Sequence, residues 1–278
     1  MNGGLSPYVL AQGRISFGAI LTVAWLLLTR PRSLIIRPRD IFNFLLLGAL
    51  GMAAGNCCYL AAISKISTGA AILLQYLAPI FIAVYAWRFM DERMGLMKII
   101  DLCLALGGCF LVVGGYNIDL LNLNRSGLIW GLGAAATFAF YCVYSEYNLR
   151  GYSPWTTLCH TLIAASITLN LTLGPSRLLT MGWDTKSWVL IFYSASMGTL
   201  VPFGIFAYGI DNLRATRAAI ISTFEPIAAG LIAYLWLGER LEGLQILGGF
   251  GVLLAVVFIQ KERERDLLAP AMIKKRNG

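Results

Sequence analysis

A carboxylate stands in the middle of an apolar run. Glu225 lies between Ala218-Ala219-Ile220-Ile221 and Ile227-Ala228-Ala229, and Pro226 follows it directly. In hydrocarbon, a charge at such depth costs about 2.5–3.5 kcal/mol on insertion scales, so the side chain turns toward a cavity or a partner. There it can hold an ammonium group or take up and release a proton. A structural pair, or a protonated carboxyl bonded to a neighbour, answers the same cost, and both readings stand open. Pro226 removes one backbone hydrogen bond and bends the helix that carries it. Gln75 and Tyr76 occupy a similar place one turn before Pro79. An amide and a phenol at that depth suit the recognition of a small organic solute.

Asn56, Tyr141 and Thr223 add polar groups to other apolar runs. Polar groups with aromatic walls fit a small-molecule site, and the same groups also serve as hydrogen-bonded glue between helices. Arg14 and His160 form a second tier of substrate or coupling candidates. For Arg14 the simpler expectation is snorkelling or carbonyl bonding. His160, the one histidine in the chain, titrates near neutral pH when unperturbed; a plain interhelical hydrogen bond is the simpler expectation for it. The six cysteines lie inside apolar runs without metal-site spacing, so neither a metal nor a cofactor is expected. Phosphate loops, HExxH and GxSxG are absent from the sequence. A membrane-embedded enzyme therefore lacks its constellation, and the chain is expected not to be an enzyme.

The elements that position these residues are membrane helices. Of 278 residues, 58% are hydrophobic and 13% charged, about half the charge of an average soluble domain. With about 20 apolar residues needed per crossing, nine spans are expected, at roughly 7–29, 40–63, 67–89, 95–115, 126–147, 154–174, 187–209, 214–237 and 243–260. Helices are required because lipid offers no partner for free backbone groups. The net charge of +8 is distributed for orientation and not for nucleic acid, which is not an expected partner. With residue 1 outside, sixteen Lys and Arg fall inside and five outside, the asymmetry of a cytoplasmic C-terminus. The N-terminal stretch lacks the basic leader of a cleavable signal.

The chain aligns with itself at a constant offset of 147. Gly4-Leu5-Ser6-Pro7 falls on Gly151-Tyr152-Ser153-Pro154, Pro79-Ile80 on Pro226-Ile227, and Glu92-Arg93 on Glu239-Arg240. Spans one to four thus pair with six to nine, and their expected directions are opposite. Such an inverted repeat places a site at mid-membrane and supports alternating access. Span five has no partner, and its counterpart would lie upstream of Met1, so a further apolar span is expected to precede this sequence. The patterns Gly51-x-x-x-Gly55 and Gly127-x-x-x-Gly131 imply close helix packing, within one molecule or between two copies of a homodimer.

Three stretches carry a family resemblance. Ser6-Pro7 followed by Arg14, Gln75-Tyr76-Leu77-Ala78-Pro79 leading to Asp91-Glu92-Arg93, and Glu225-Pro226 leading to Leu237-Gly238-Glu239-Arg240-Leu241 resemble the EamA-type ten-helix carriers of the drug/metabolite transporter superfamily. The resemblance covers residues 4 to about 260. It implies ten spans with cytoplasmic termini, and export or exchange of amino acids or other metabolites. It also implies a central cavity lined here by spans two, three, five, seven and eight.

These readings make the chain an all-α integral membrane protein, an inverted repeat of five plus five helices with the first helix missing. The first repeat covers 1–116, the second 126–260, and a basic cytoplasmic tail 261–278. The expected function is secondary transport, as an exporter of amino acids or other small metabolites across the plasma membrane, the inner membrane in a bacterium. Its partners are a small-molecule substrate and membrane lipid. The rival from another class is a non-transporting membrane scaffold or an inactive truncated carrier.

Overall fold

The computed structural model describes residues 7–89, 95–117, 124–174, 185–232, 234–235 and 242–258. Among these residues every regular element is helical. The spans are numbered α1 to α9. They are α1 (Pro7–Thr29), α2 (Pro38–Ile63), α3 (Thr68–Phe89), α4 (Leu96–Val112), α5 (Arg125–Leu149) and α6 (Pro154–Leu173). Three follow: α7 (Thr185–Leu213), α8 (Ala215–Ile232) and α9 (Gly243–Phe258). Six of these, α1, α2, α3, α5, α6 and α7, are long and apolar enough to cross a membrane. The other three fall short of the nine expected crossings for visible reasons. α4 is 17 residues long, α8 carries Arg217 and Glu225 and is described as a helix only to Ile232, and α9 ends at the limit of the described residues.

Local chemistry sets the helix starts. Ser67, Asn124 and Ser153 each stand in an extended conformation before a helix, and each accepts a hydrogen bond from the backbone N–H three residues on, as good N-caps do. Pro154 at the first position of α6 loses nothing by lacking an N–H. Gly174 ends α6 with φ 83°, a conformation that costs glycine little.

Packing follows the rule for lipid. The buried positions are dominated by alanine, with Leu47, Leu158, Leu162 and Ile82 among the larger side chains. Large apolar side chains face outward, with Leu28 87% and Leu171 81% exposed. Small residues let helices approach where the solvent is as apolar as the core. α5 lies against α2 and α3, α6 against α1 and α2, and α7 against α1, α6 and α8. Both GxxxG patterns are used inside the chain. Gly51 and Gly55 face Tyr141 and Thr137 of α5; Gly127 and Gly131 face Ile66 and Leu74. Between α1 and α6 runs a polar seam. Gln12 donates to Asn170 at 2.9 Å, Asn170 to Ser16 at 3.0 Å, and Ser166 to Ser16 at 2.9 Å.

Two irregularities recur at the 147-residue offset. α2 widens into a π-turn at Leu47–Ala53, and α7 does so at Ser196–Leu200. α3 breaks at Tyr76-Leu77 between its pieces Thr68–Gln75 and Ala78–Phe89. α8 breaks at Thr223-Phe224 between Ala215–Ser222 and Glu225–Ile232. Each break lies just before a proline, Pro79 or Pro226, which cannot donate to the carbonyl four residues back. Gln75 and Ser222 therefore lose their helical partners at equivalent places.

Candidate functional site

The two breaks meet through their side chains. Tyr76 closes the first piece of α3, and its phenol donates to Glu225 Oε2 at 3.2 Å. Glu225 opens the second piece of α8. A carboxylate in a first helical turn is favoured by the helix dipole and the free N–H groups there. The break thus answers the insertion cost of a charged Glu225 twice, with a helix N-terminus and with a phenol donor. Glu225 is exposed and Tyr76 half-buried, so the pair is open to a ligand beside the breaks. The repeat counterpart of Glu225 is Ala78, which leaves a single acidic pole.

A basic pole stands nearby. Arg14 of α1 donates to the Asn56 side chain of α2, and Asn56 donates in turn to the Met52 carbonyl at 2.8 Å, inside the π-turn. Arg14 Nε is buried without a hydrogen-bond partner. The expected snorkelling or carbonyl contact is replaced by a side-chain bond that fixes the guanidinium against α2. Tyr59 of α2 lies within electrostatic reach of both Arg14 and Glu225. Cys109 of α4 lies within electrostatic reach of Glu225 and Tyr76. Tyr59 and Cys109 were not among the sequence candidates. Tyr59 follows Asn56 by three residues, so the two share a helix face, a signal present in the sequence.

The other candidates are placed differently. Gln75 is half-buried next to Tyr76. Thr223 is fully buried, and its hydroxyl is used by the Ile220 carbonyl at 2.6 Å. Tyr141 is 3% exposed within an aromatic group, its ring 5.7 Å from Phe203 and 6.3 Å from Phe138. It forms a wall of the core against Gly51 of α2. His160 bonds through Nδ1 to the Thr156 carbonyl of its own helix at 2.9 Å, and its ring lies tilted against Phe44 with centroids 5.1 Å apart. The expected interhelical hydrogen bond is thus an intrahelical one. Glu92-Arg93 and Glu239-Arg240 lie outside the described residues, as does the tail 261–278.

Two grooves in the helix surface lie elsewhere. One, of about 550 Å³, runs between α1 and α6 over Ser16, Ser166 and Asn170. The other, of about 340 Å³, follows the α4–α9 contact. There a Cβ on Gly108 or Gly248 would sit 2.6 Å from the other glycine's carbonyl oxygen.

Known proteins resemble this chain in sequence and in fold. The chain is 30% identical over 225 residues to an uncharacterized transporter of Archaeoglobus fulgidus, covering 80% of this chain and 74% of the relative. It is 22% identical over 276 residues to the uncharacterized inner membrane transporter YicL of Salmonella typhimurium, covering 95% and 92%. It is also 24% identical over 247 residues to the threonine/homoserine exporter RhtA of Salmonella typhimurium, covering 87% and 79%. A crystal structure matches the fold with a TM-score of 0.75 at 15% identity, over 92% of this chain and 88% of that one. The model of the EamA-like transporter family matches residues 1–114 and 125–260. This multi-pass membrane protein therefore belongs to the EamA-like transporter family.

Proposed function

We propose that this transporter is a secondary carrier that exports amino acids or similar small metabolites across the plasma membrane by alternating access, with its C-terminus on the cytoplasmic side. One observation carries the reading: the Tyr76–Glu225 hydrogen bond joins the broken helices of the two halves. Broken helices at a repeat interface are where carriers of this architecture hold solutes. Glu225 supplies a pole for an ammonium group, and Arg14 with Asn56 supplies one for a carboxylate. A solute carrying both charges satisfies both poles. The similar protein RhtA is a threonine/homoserine exporter, which agrees with such a solute and motivates the first probe.

The test is counterflow of labelled L-threonine, then of the other common amino acids, in proteoliposomes containing the purified protein. Glu225→Gln at equal protein levels keeps size and hydrogen bonding but removes the charge. Flux in the unmodified protein that falls at least tenfold in Glu225→Gln supports the reading. Flux with an unchanged pH profile in Glu225→Gln makes the residue structural. No counterflow of any zwitterion sinks the amino-acid reading.

A further inference from the structure

The two halves are not held together equally at their two ends. α2 and α6 pack so closely at Gly48 that a Cβ there would lie 2.4 Å from Ala164 Cβ and 2.7 Å from the Thr161 carbonyl oxygen. At one end of this seam stands a set of polar and aromatic contacts between the first half and the second. Tyr152 donates to Asp40 Oδ2 at 2.5 Å and accepts from the Arg37 backbone N–H at 3.0 Å. Tyr144 donates to Asn43 Oδ1 at 2.9 Å. Phe44, 2% exposed, lies between the rings of Tyr152 and His160, 5.3 Å and 5.1 Å away.

The offset of 147 identifies the seam that should mirror this one, between α7 and α1. It is looser. A Cβ on Gly18 would be 3.8 Å from the Ala195 carbonyl oxygen, and the rings of Phe17 and Trp188 are 5.5 Å apart. Its residues also differ in kind. Asn43 corresponds to Leu190, Phe44 to Ile191 and Tyr152 to Leu5. Ala195 replaces Gly48 and Phe17 replaces Ala164, so methyl and methylene groups block the approach that Gly48 permits.

We propose that the α2–α6 seam is a latch that keeps the end bearing Asp40 and Tyr152 shut and sets the resting state of the carrier open at the opposite end. The proposal rests on the carrier reading and on the orientation that puts the connection between residues 30 and 40 at the cytoplasmic side. In an inverted repeat, passage between access states makes each half take up the geometry of the other. The tight seam must then loosen and the loose one tighten. Among the described residues, the α2–α6 side combines the glycine with polar pins that favour closure, so the two states differ in free energy. Pins present in one state alone shift the population by their differential strength.

Cys57 and Cys58 report on the latch. They follow Asn56 on α2 and are half-buried free thiols. Inverted membrane vesicles are treated with a membrane-impermeant maleimide, and labelling at each cysteine is followed by peptide mass. Tyr152→Phe removes both hydrogen bonds of the phenol and keeps the ring against Phe44. A net hydrogen bond of ordinary strength corresponds to roughly a fivefold change in the closed-to-open ratio, so with two bonds lost Cys57 and Cys58 should label at least about five times faster. Asp40→Ala should act in the same direction. An Asp40→Cys/Tyr152→Cys pair joined by a short bifunctional thiol reagent should slow labelling below the unmodified rate. Unchanged labelling in Tyr152→Phe and Asp40→Ala overturns the latch, as does unmodified labelling in the joined pair. Absence of L-threonine counterflow in the unmodified protein, measured separately, counts against the carrier reading and not against the seam.

Discussion

Replacing Glu146 with alanine removes the cap from a helix on another span. The first piece of α8 begins at Ala215, and its N-cap position is Arg214, with φ 70° and no capping side chain. The equivalent position in the first half is Ser67, which caps its own helix. In the second half Glu146 of α5, 9% exposed, replaces it: Oε2 accepts from the Ala215 N–H at 2.8 Å. A hydrogen bond to a charged group contributes about 1.5–3 kcal/mol net, and the helix dipole adds a few tenths. Arg150 is 4.0 Å from Glu146 with a side chain 65% exposed, so that pair contributes about 0–1 kcal/mol. Glu146→Ala should therefore lose about 2 kcal/mol, Glu146→Gln about half as much, and Arg150→Ala less than about 0.5 kcal/mol. Unfolding titrations in mixed detergent micelles measure these differences. A Glu146→Ala protein within about 0.5 kcal/mol of the unmodified one would show that the start of α8 does not depend on this carboxylate.

Other outcomes follow from the same geometry. Tyr76→Phe should lower counterflow and weaken substrate affinity several-fold while leaving insertion intact, because it removes the one phenol donor to Glu225. Gly48→Val should reduce the amount of folded protein, since its Cβ meets Ala164 and backbone atoms of α6; gel filtration and heat stability read this. Ser153→Ala should cost about 1 kcal/mol at the start of α6, seen in the same unfolding titrations. Tyr116, just beyond α4, donates to Glu242 ahead of α9, and this bond raises its phenol above the usual tyrosine range. Because the folded-state value is the higher one, the contact stabilises at neutral pH and is lost as pH rises through it. Glu242→Gln should return one tyrosine to the ordinary titration range in an ultraviolet pH titration.

The backbone features at the site differ in how far the sequence discloses them. Prolines at Pro79 and Pro226 mark both helix breaks, because a missing N–H is a local property. The direct Tyr76–Glu225 contact needed two segments far apart in the chain, and only the repeat offset hinted that they share a depth. The π-turns in α2 and α7 had no signal, since they answer to packing against α5, α6 and α1 and not to local propensity. Arg14 was expected to snorkel or bond a carbonyl because its helix flanks the cavity-lining spans; its partner, the Asn56 side chain, comes from the fold. His160 was expected to bond across helices, yet its Nδ1 pairs with the Thr156 carbonyl one turn back in its own helix. The shortfall of α4 reflects a turn at Val113-Gly114, which hydropathy alone does not reveal.

The polar seam between α1 and α6 also has a consequence for synthesis. Gln12 is fully buried against Asn170, 158 residues later in the chain. At about 5–20 residues per second, its partner leaves the ribosome roughly 8–30 s after Gln12 does. α1 therefore leaves the ribosome long before the partner that its amide has in the folded chain. Arg14 waits far less, since Asn56 follows by 42 residues. During biogenesis the α1–α6 seam therefore closes late, only once α6 has arrived to satisfy Gln12.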